Sequence, residues 1–356
     1  MAQDLAFALK RYRSIIAGAA LIAAAAVVSA TPAAAQSSDP ATWVGCHPVA
    51  GGVSCPPIIK AGIALTAPPV APPPAAAPNA PPRMPQGGRG PIRVLVITKG
   101  HEFEREQFNQ MLDSLGDDIT YTHVDHPAAD LLMNPTAGKN FDVYLFYDLG
   151  GPGVRTPRAD GTIDRVYPNP SPQLKRDFPA LLKAGKGMVF MHHASAAWAH
   201  TWPEYSEVIG GACDWYAPIT VRGILDPRHG YYQKTKQHIT VVDKNSPITK
   251  GLGDGFDTTD EAYACAFFED SVHPLLRTDF TPPDPLVNLN PKRKFSNLSA
   301  WYKSSENSPV FYVQIGHDHT PWEQPEYRLL LRNAIKWAAS PEALAWAKAH
   351  PTKIFK

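Results

Sequence analysis

Three segments dominated by apolar residues constrain the fold of this chain more than any other feature. They span 92–98, 142–148 and 187–193, and each ends at or within two residues of a glycine or histidine. Their apolar residues are continuous rather than alternating, which is typical of strands covered on both faces. An amphipathic helix pattern lies at 103–115, and a helix with a serine N-cap is predicted at 171–182. This order of elements predicts an α/β fold with a parallel sheet and helices on both faces.

The second half of the chain has a less regular pattern, in which short strands predominate. Further strands are predicted at Ile119–Val124, Ile239–Val242, Val272–Leu276, Ser299–Tyr302 and Val310–Ile315, and a helix at Glu326–Ala338. The helix prediction rests on apolar residues at steps of three and four positions. We therefore place one large α/β domain at residues 91–350, a length ordinary for such a domain.

The charge balance limits the partners that the chain can have. Lysine and arginine total 34, aspartate and glutamate total 33, and the formal net charge is +1. A nearly neutral protein has no global electrostatic attraction for nucleic acid or for an anionic membrane. The hydrophobic share of 44% and the charged share of 19% are ordinary for a globular protein, which excludes a mostly disordered or multi-span membrane protein.

The first 35 residues have the pattern of a cleavable secretory signal peptide. Basic residues at 10–13 precede an uncharged apolar stretch of 14 residues at 15–28, and Ala33–Ala35 supplies an Ala-x-Ala end. A stable membrane span needs about 20 apolar residues, so we predict cleavage near Ala35 rather than a membrane anchor. The mature protein is then expected in a bacterial periplasm or outside the cell, without a membrane span.

Two segments of distinct composition lie between the signal and the domain. Residues 36–60 form a short cysteine-containing segment, and residues 61–90 form a linker rich in proline, alanine and glycine. The stretch from Pro56 to Pro91 holds 12 of the 37 prolines. Because proline fixes φ and lacks an amide hydrogen, this stretch is predicted to be a semi-rigid spacer rather than a helix or strand.

Export changes the interpretation of the four cysteines. Cys46 and Cys55 lie nine positions apart with glycine and proline between them, which in an oxidising compartment favours a disulfide over a metal site. Cys213 and Cys265 belong to the main domain, where they either pair or stay buried as thiols. Four cysteines allow three connectivities, and the sequence does not choose among them.

Polar side chains collect at the predicted carboxyl ends of the strands. In chain order they are His101, Asp148, His192, His193, His317 and His319. Ligands of open parallel sheets bind outside these ends, so the convergence predicts an active or binding site. A single histidine in such a place is more often a structural residue at the edge of the core.

The spacing of the histidines narrows their roles. Adjacent strand residues point to opposite faces, so only one of His192 and His193 is expected to face the cleft unless the chain turns sharply there. His317 and His319 lie two positions apart and would point the same way in an extended segment. With a third ligand they could bind a divalent metal such as Zn²⁺, although no His-Glu-x-x-His pattern accompanies them.

An acidic pair at Asp260–Glu261 has two interpretations. It is either a solvated turn or a carboxylate delivered to the histidines as a base or an orienting partner. Histidine and carboxylate together move protons near neutral pH, and the chemistry of polyols and sugars requires such transfers. The second interpretation makes Glu261 a candidate catalytic residue.

Aromatic residues lie just after the predicted site strands. They are Trp198, Trp202, Tyr205, Trp215, Tyr216 and Trp322. Ring faces stack on the apolar faces of sugars while nearby polar groups bind the hydroxyls, so these residues are candidates for a sugar pocket. Core packing is the alternative for each of them.

An ordered set of motifs resembles the trehalose-utilisation (ThuA-like) family. The motifs are Ile92–His101, Gly187–Ala194, Trp202–Tyr205, Ile209–Gly211, Ser246–Leu252, Asp260–Tyr263, Gly316–Trp322 and Ile335–Ala338. The resemblance covers nearly all of 91–340. It implies the class I glutamine amidotransferase-like fold, a flavodoxin-like three-layer α/β sandwich with a mainly parallel sheet. The family is associated with sugar catabolism, including that of keto-sugars.

The resemblance carries over residue by residue, with two departures. It assigns site positions to His101, His192, Asp260, Glu261 and His317. Ser246–Pro247 stands where many members have His-Pro, and the histidine that usually comes shortly after the Gly-Gly is absent from residues 210–215. At the turn where amidotransferases of this fold carry a cysteine, this chain has His192–His193, so thiolate attack on glutamine is excluded there.

The leading hypothesis is an exported enzyme that acts on a carbohydrate, keto-sugar or related polyol. Its predicted catalytic residues are His192, Glu261 and His317. Its predicted substrate-binding residues are His101, Asp148, His193, Trp202, Tyr205, Asp260 and Trp322. A non-catalytic sugar-binding module is one alternative. A metal-dependent hydrolase built on His317, His319 and a carboxylate is the other.

Overall fold

The apolar segments form neighbouring strands of one large sheet. A computed structural model describes residues 47–49, 52–54, 87–88, 90–160, 163–283 and 289–355. In chain order the strands are β1 (His47–Val49), β2 (Gly52–Ser54), β3 (Gly87–Gly88), β4 (Ile92–Lys99), β5 (Ile119–Asp125), β6 (Val143–Asp148), β7 (Val154–Pro157), β8 (Ile163–Val166), β9 (Gly187–Met191), β10 (Gly211–Ala212), β11 (Ile219–Val221), β12 (Ile224–Asp226), β13 (Gly230–Val241), β14 (Gly255–Ala264), β15 (Ala266–Phe267), β16 (His273–Thr278), β17 (Leu298–Ser305) and β18 (Ser308–Val313).

Helices connect and cover these strands. They are α1 (Arg105–Asp113), α2 (Pro172–Lys183), α3 (Pro203–Ile209), α4 (His319–Trp322), α5 (Pro325–Ala339) and α6 (Pro341–Ala349), with 3₁₀ turns at Ala128–Leu132, Ala137–Asn140 and His192–Ala196. The N-cap predicted for α2 is present, because the Ser171 hydroxyl accepts the Leu174 amide hydrogen. Gly185, with a φ of 77°, follows this helix, as predicted.

The sheet has ten strands in the order β14-β13-β16-β17-β18-β9-β6-β4-β5-β3. Its centre is parallel: β18, β9, β6, β4 and β5 run in one direction. The strands from β14 to β17 extend it by antiparallel pairing, and β3 adds an antiparallel edge beside β5. The carboxyl ends of the central strands therefore meet along one edge, as the sequence predicts.

Helices cover both faces of the sheet and create two separate cores. On β4, Val94 and Val96 face one core and Leu95 and Ile97 face the other. The first core includes residues of α1 and α5, and the second includes residues of α2 and α3. The predicted α/β fold, a three-layer sandwich, is confirmed.

The second half of the chain departs most from the predicted elements. The strand predicted at Ile239–Val242 is the end of the 12-residue β13, and its partner β14 was not predicted as a strand. Both strands carry many polar residues, which obscure the apolar pattern, and they pair over a bulge between Tyr232 and Thr235. β9 ends at Met191, two residues earlier than predicted, because the chain turns at His192.

A disulfide joins Cys213 to Cys265 across 52 residues. The sequence left open whether these two cysteines pair or stay as buried thiols, and the structure shows that they pair. Cys46, Cys55 and the predicted signal peptide lie outside the described residues. None of the helices within the described ranges is long and apolar enough to span a lipid bilayer.

The ten-stranded sheet, its helices and the Cys213–Cys265 disulfide belong to one compact unit.

Replacing both Cys213 and Cys265 with alanine should lower the free energy of unfolding by about 2–4 kcal/mol, because the cross-link restricts a long loop of the unfolded chain. Urea denaturation of the variant and the parent protein measures the difference. A reducing agent should destabilise the parent more than the variant, whose remaining cysteines are Cys46 and Cys55. Equal stability of the oxidised parent and the variant would contradict a structural role for the disulfide.

Candidate functional site

Three predicted catalytic side chains meet at the carboxyl edge of the parallel strands. His192 Nε2 lies 3.2 Å from His317 Nδ1 and 3.2 Å from Glu261 Oε2. His317 Nδ1 lies 3.4 Å from the same carboxylate oxygen. The three residues come from separate elements: the turn after β9, the strand β14 and the loop after β18. The long-range folding of the chain therefore assembles the group that the sequence predicted.

A sharp turn places His192 at the centre of this group. Its φ of 53° lies in the left-handed region, which non-glycine residues rarely adopt. The Tyr312 hydroxyl donates to the His192 carbonyl oxygen at 2.8 Å, and the Nδ1–H of His192 donates to the Gln314 carbonyl oxygen at 2.7 Å. Because a carbonyl oxygen only accepts hydrogen bonds, Nδ1 carries a proton, and Nε2 faces the site.

Glu261 is held on a buried strand rather than in the solvated turn that was the alternative. Its backbone carbonyl accepts hydrogen bonds from the Gln314 and Gln237 side-chain amides, at 2.7 and 3.3 Å. Burial opposes ionisation of the side chain, but the hydrogen bond with His192 and the neighbouring histidines outweigh it and lower the pKa of Glu261. The carboxylate is thus ionised at neutral pH.

Asp260 faces the opposite side of β14 and holds the loop that carries His317. Its carboxylate accepts the amide hydrogens of Gly316 and His317, the latter at 3.2 Å, and that of Glu261 at 2.8 Å. Burial raises the pKa of Asp260 to about 6, against the opposing effect of these donors. Asp260 therefore positions the backbone of the loop that carries His317.

Tyr263 completes the centre and was not predicted as a site residue. Its hydroxyl lies 2.6 Å from His192 Nε2 and 3.2 Å from Glu261 Oε2. Burial raises the pKa of Tyr263 well above its ordinary value, so the hydroxyl stays protonated and acts as a donor. The spacing of Glu261 and Tyr263 could have identified it, since residues two apart on a strand share a face.

His193 and His101 extend the cluster on its other side. The chain turns sharply at His192, so the stated exception applies and both His192 and His193 lie in the cluster. His193 Nδ1–H donates to the Asp148 carbonyl oxygen at 3.1 Å, and its ring lies 4.8 Å from that of His101. The His101 ring is also 5.6 Å from that of His317. Burial lowers the pKa values of His101, His193 and His317, so these imidazoles are neutral near pH 7.

Asp148 is fully buried and its side chain pairs with a histidine that the sequence did not single out. Asp148 Oδ2 lies 3.1 Å from His126 Nε2, and His126 Nδ1 lies 2.7 Å from Asp130 Oδ1. Burial opposes protonation of His126, but the two carboxylates outweigh it and raise its pKa to about 9. Asp148 thus supports the strand end beneath His193 and does not join the three-residue centre.

Three aromatic residues predicted to contact substrate are core residues. Trp202, Tyr205 and Trp322 are 4%, 2% and 0% exposed, respectively. The first two pack against Phe178, and Trp322 packs against Phe108. The core alternative therefore holds for these side chains. Trp215, by contrast, is half-buried, and its ring lies 4.9 Å from that of Tyr263.

The predicted metal pair of His317 and His319 does not form. His319 begins the short helix α4 and binds the Glu104 carboxylate through Nδ1, at 2.8 and 2.9 Å. The helical turn breaks the extended spacing on which the prediction depended. His317 instead has His192 and Glu261 as its neighbours.

The centre has the dimensions of a divalent-metal site. For metal–ligand bonds of 2.0–2.1 Å, the donor atoms of a tetrahedral site lie about 3.3 Å apart. The donor atoms of His192, Glu261 and His317 are 3.2–3.4 Å apart. The backbone bond at His192 Nδ1 is also the kind of contact that orients metal-binding histidines. A second group, Cys213, His229 and Cys265, has its sulfurs consumed by the disulfide.

Comparison with known proteins identifies the family. A family model for trehalose utilisation (ThuA) matches residues 93–338. The chain belongs to this family. A ThuA-like protein from Parabacteroides merdae has a similar structure, with a TM-score of 0.53 and 16% identity over 70% of this chain and 90% of its own. This likeness supports the ThuA fold assigned above.

Two further structures resemble this ThuA domain less closely. A ThuA-like protein from Bacteroides uniformis has a TM-score of 0.48 and 17% identity over 73% of this chain and 96% of its own. The PurLQS structure from Thermotoga maritima has a TM-score of 0.39 and 9% identity over 69% of this chain and 98% of its own. No curated protein matches the chain in sequence.

Replacing His126 with glutamine should reduce stability at pH 6 by on the order of 2–3 kcal/mol, and by much less at pH 10. The folded pKa of about 9 exceeds the ordinary value of 6.5, so protonation stabilises the fold fully below pH 6.5. This contribution is lost as the pH rises through 9. Denaturant titrations at both pH values measure it.

The control is His238→Gln, which removes an exposed pair with Asp257. It should change stability by less than about 0.5 kcal/mol at either pH, because exposed ion pairs contribute little. A pH-independent loss in His126→Gln would contradict the assignment of a protonated His126.

Proposed function

We propose that this ThuA domain is an enzyme that acts on a carbohydrate or keto-sugar at the centre formed by His192, Glu261 and His317. The observation that carries the proposal is their convergence from three separate elements to within 3.4 Å. Mutual hydrogen bonds would be enough for a purely structural cluster. In this cluster the His317 side chain is also 27% exposed, and it lies beside the buried Glu261 carboxylate. Reactive groups at the carboxyl edge of a parallel sheet favour a catalytic site.

The protonation states support proton transfer. Glu261 is ionised and can accept a proton, while the neutral His317 can donate or accept one at the exposed side of the centre. The protonated Tyr263 hydroxyl can donate a hydrogen bond to an oxygen on which negative charge develops. Proton removal beside the carbonyl of a keto-sugar requires this combination of a base and a hydrogen-bond donor.

The chemistry of glutamine amidotransferases is not available to this centre. The turn after β9 carries His192 and His193, and within the described ranges both cysteines of the domain are in a disulfide. An imidazole does not replace the thiolate that attacks glutamine. We therefore assign the domain to proton-transfer or hydrolytic chemistry.

A metal-dependent hydrolase is a second candidate, and the spacing of the donor atoms favours it. His192 Nε2, His317 Nδ1 and Glu261 Oε2 would hold a divalent cation such as Zn²⁺, the two-histidine, one-glutamate set found in several zinc hydrolases. Such a cation supplies an activated water and polarises a substrate oxygen. The lowered pKa values of His317 and Glu261 suit it, since metal ligands must be deprotonated.

The proposal includes export of the protein. Residues 1–35 have a signal-peptide pattern, and the disulfide between Cys213 and Cys265 suits an oxidising compartment. Mass spectrometry of the N-terminus of the protein recovered from a bacterial periplasm tests this part. An intact N-terminus would contradict it.

His192→Ala and Glu261→Gln should each lower turnover of a 3-keto-sugar by about 10²–10⁴-fold, because each removes a group that handles a proton. Turnover is measured by mass spectrometry of the sugar after incubation. His319→Ala, outside the centre, is the matched control and should retain activity. If all variants fold and convert the sugar like the parent, the proposed centre is wrong. Binding without conversion would instead indicate a sugar-binding module.

Metal analysis separates the two chemical candidates. Protein purified without a histidine tag should contain about one divalent cation per chain if the hydrolase hypothesis is correct. His317→Ala and Glu261→Gln should lose it, whereas His319→Ala should keep it. Activity that survives chelation in metal-free protein would favour metal-independent proton transfer.

A further inference from the structure

A cavity of about 740 Å³ lies between α5, α6 and strand β17. Three aromatic residues line it: Tyr302, Trp337 and Trp346. The Tyr302 ring lies 5.1 Å from that of Trp337 and 5.3 Å from that of Trp346, and the two indoles lie 6.1 Å apart. All three side chains are half-buried, so they pack on one another and still present surface to the cavity. The volume is ordinary for a small-molecule site.

This cavity is distinct from the candidate catalytic site. Ala338, next to Trp337, packs against Gly187 at the start of β9, where a Cβ would lie 2.4 Å from the Ala338 carbonyl oxygen. His192 follows the other end of the same strand. Five residues of β-strand span about 16 Å, so the two sites lie at opposite ends of β9. No residue lining the cavity belongs to the catalytic centre.

The rim of the cavity offers hydrogen-bonding groups that the fold does not use. Lys250 and Glu342 line it and are exposed, and within the described part of the chain neither side chain has a hydrogen bond or an ion pair. The indole N–H groups of Trp337 and Trp346 likewise have no partner among the described residues. The cavity therefore combines ring faces with free donors and a free acceptor.

We propose that this cavity is a carbohydrate-binding subsite, separate from the catalytic centre. Aromatic rings pack on the C–H faces of a sugar, and hydroxyls, which both donate and accept, match the indoles, Lys250 and Glu342. The lining holds charges of both signs, Glu342 against Lys250 and Lys336, which suits a neutral ligand that both donates and accepts hydrogen bonds. The choice of a carbohydrate over another polyol rests on the proposed function, whereas the lining alone favours a polyhydroxylated ring.

The test is binding of trehalose, maltotriose and cellotriose to the full chain, measured by calorimetry and by tryptophan fluorescence. At least one of the three should bind. Trp346→Ala and Trp337→Ala should weaken that binding by about tenfold or more, as loss of a central aromatic anchor does. Trp346→Phe should restore part of it, and Glu342→Gln should weaken it about two- to threefold.

Matched variants keep this test separate from the proposed catalysis. Tyr231→Ala removes another exposed aromatic ring, outside the cavity, and should leave binding unchanged. Glu261→Gln should abolish turnover and leave cavity binding intact. Thermal denaturation checks that each variant folds. If a tryptophan variant does not fold, Glu342→Gln, which lies on the surface, still tests the cavity.

Three results would overturn the subsite. In the first, none of the three sugars binds. In the second, a sugar binds but only Glu261→Gln or His192→Ala weakens it, which would place the sugar at the catalytic centre. In the third, a synthetic peptide of residues 67–85 binds in a Trp346-dependent way and the sugars do not, which would make the cavity a site for proline-rich segments.

Discussion

The parallel pairing of β9 with β18 is the constraint on which the site depends. Its register places Met191 opposite Val313, so the next residues, His192 and Gln314, meet where both strands end. The bond from His192 Nδ1 to the Gln314 carbonyl follows from this register, and the Gln314 side chain reaches the Glu261 carbonyl. One pairing therefore fixes the orientation of a histidine ring and a strand position together. A slip by one residue would turn each of these side chains to the other face.

Two adjacent buried carboxylates are tolerated because they face different partners. Asp260 is compensated by backbone amide donors, whereas Glu261 faces histidines and the Tyr263 hydroxyl. Burying an uncompensated carboxylate would be costly, and backbone donors recover much of that cost. Adjacent side chains of β14 point to opposite faces. This separates Asp260, which positions the loop of His317, from Glu261, the candidate reactive carboxylate.

The sequence was informative where structure is local and uninformative where it depends on distant pairing. Continuous apolar runs identified β4, β6 and β9, and the polar residues that follow β9 and β18 identified His192 and His317. The partners Gln314 and His126 were missed because a lone glutamine or histidine carries no spacing signal. β14 was missed because it contains many polar residues. They can be buried because residues distant in sequence satisfy their hydrogen bonds, and a local sequence pattern does not show such partners. The helical turn at His319 likewise overrode the extended spacing assumed for it.

The aromatic residues show why residue type alone misplaces a site. Trp322 is fully buried, yet its indole N–H donates to the Gly316 carbonyl at 2.9 Å. Gly316 has a φ of 130°, and a Cβ there would lie 2.3 Å from the Tyr327 hydroxyl oxygen. The loop that delivers His317 is therefore shaped between core aromatic residues on one side and Asp260 on the other. Trp322 contributes to the site through the backbone, so its importance would not require contact with a ligand.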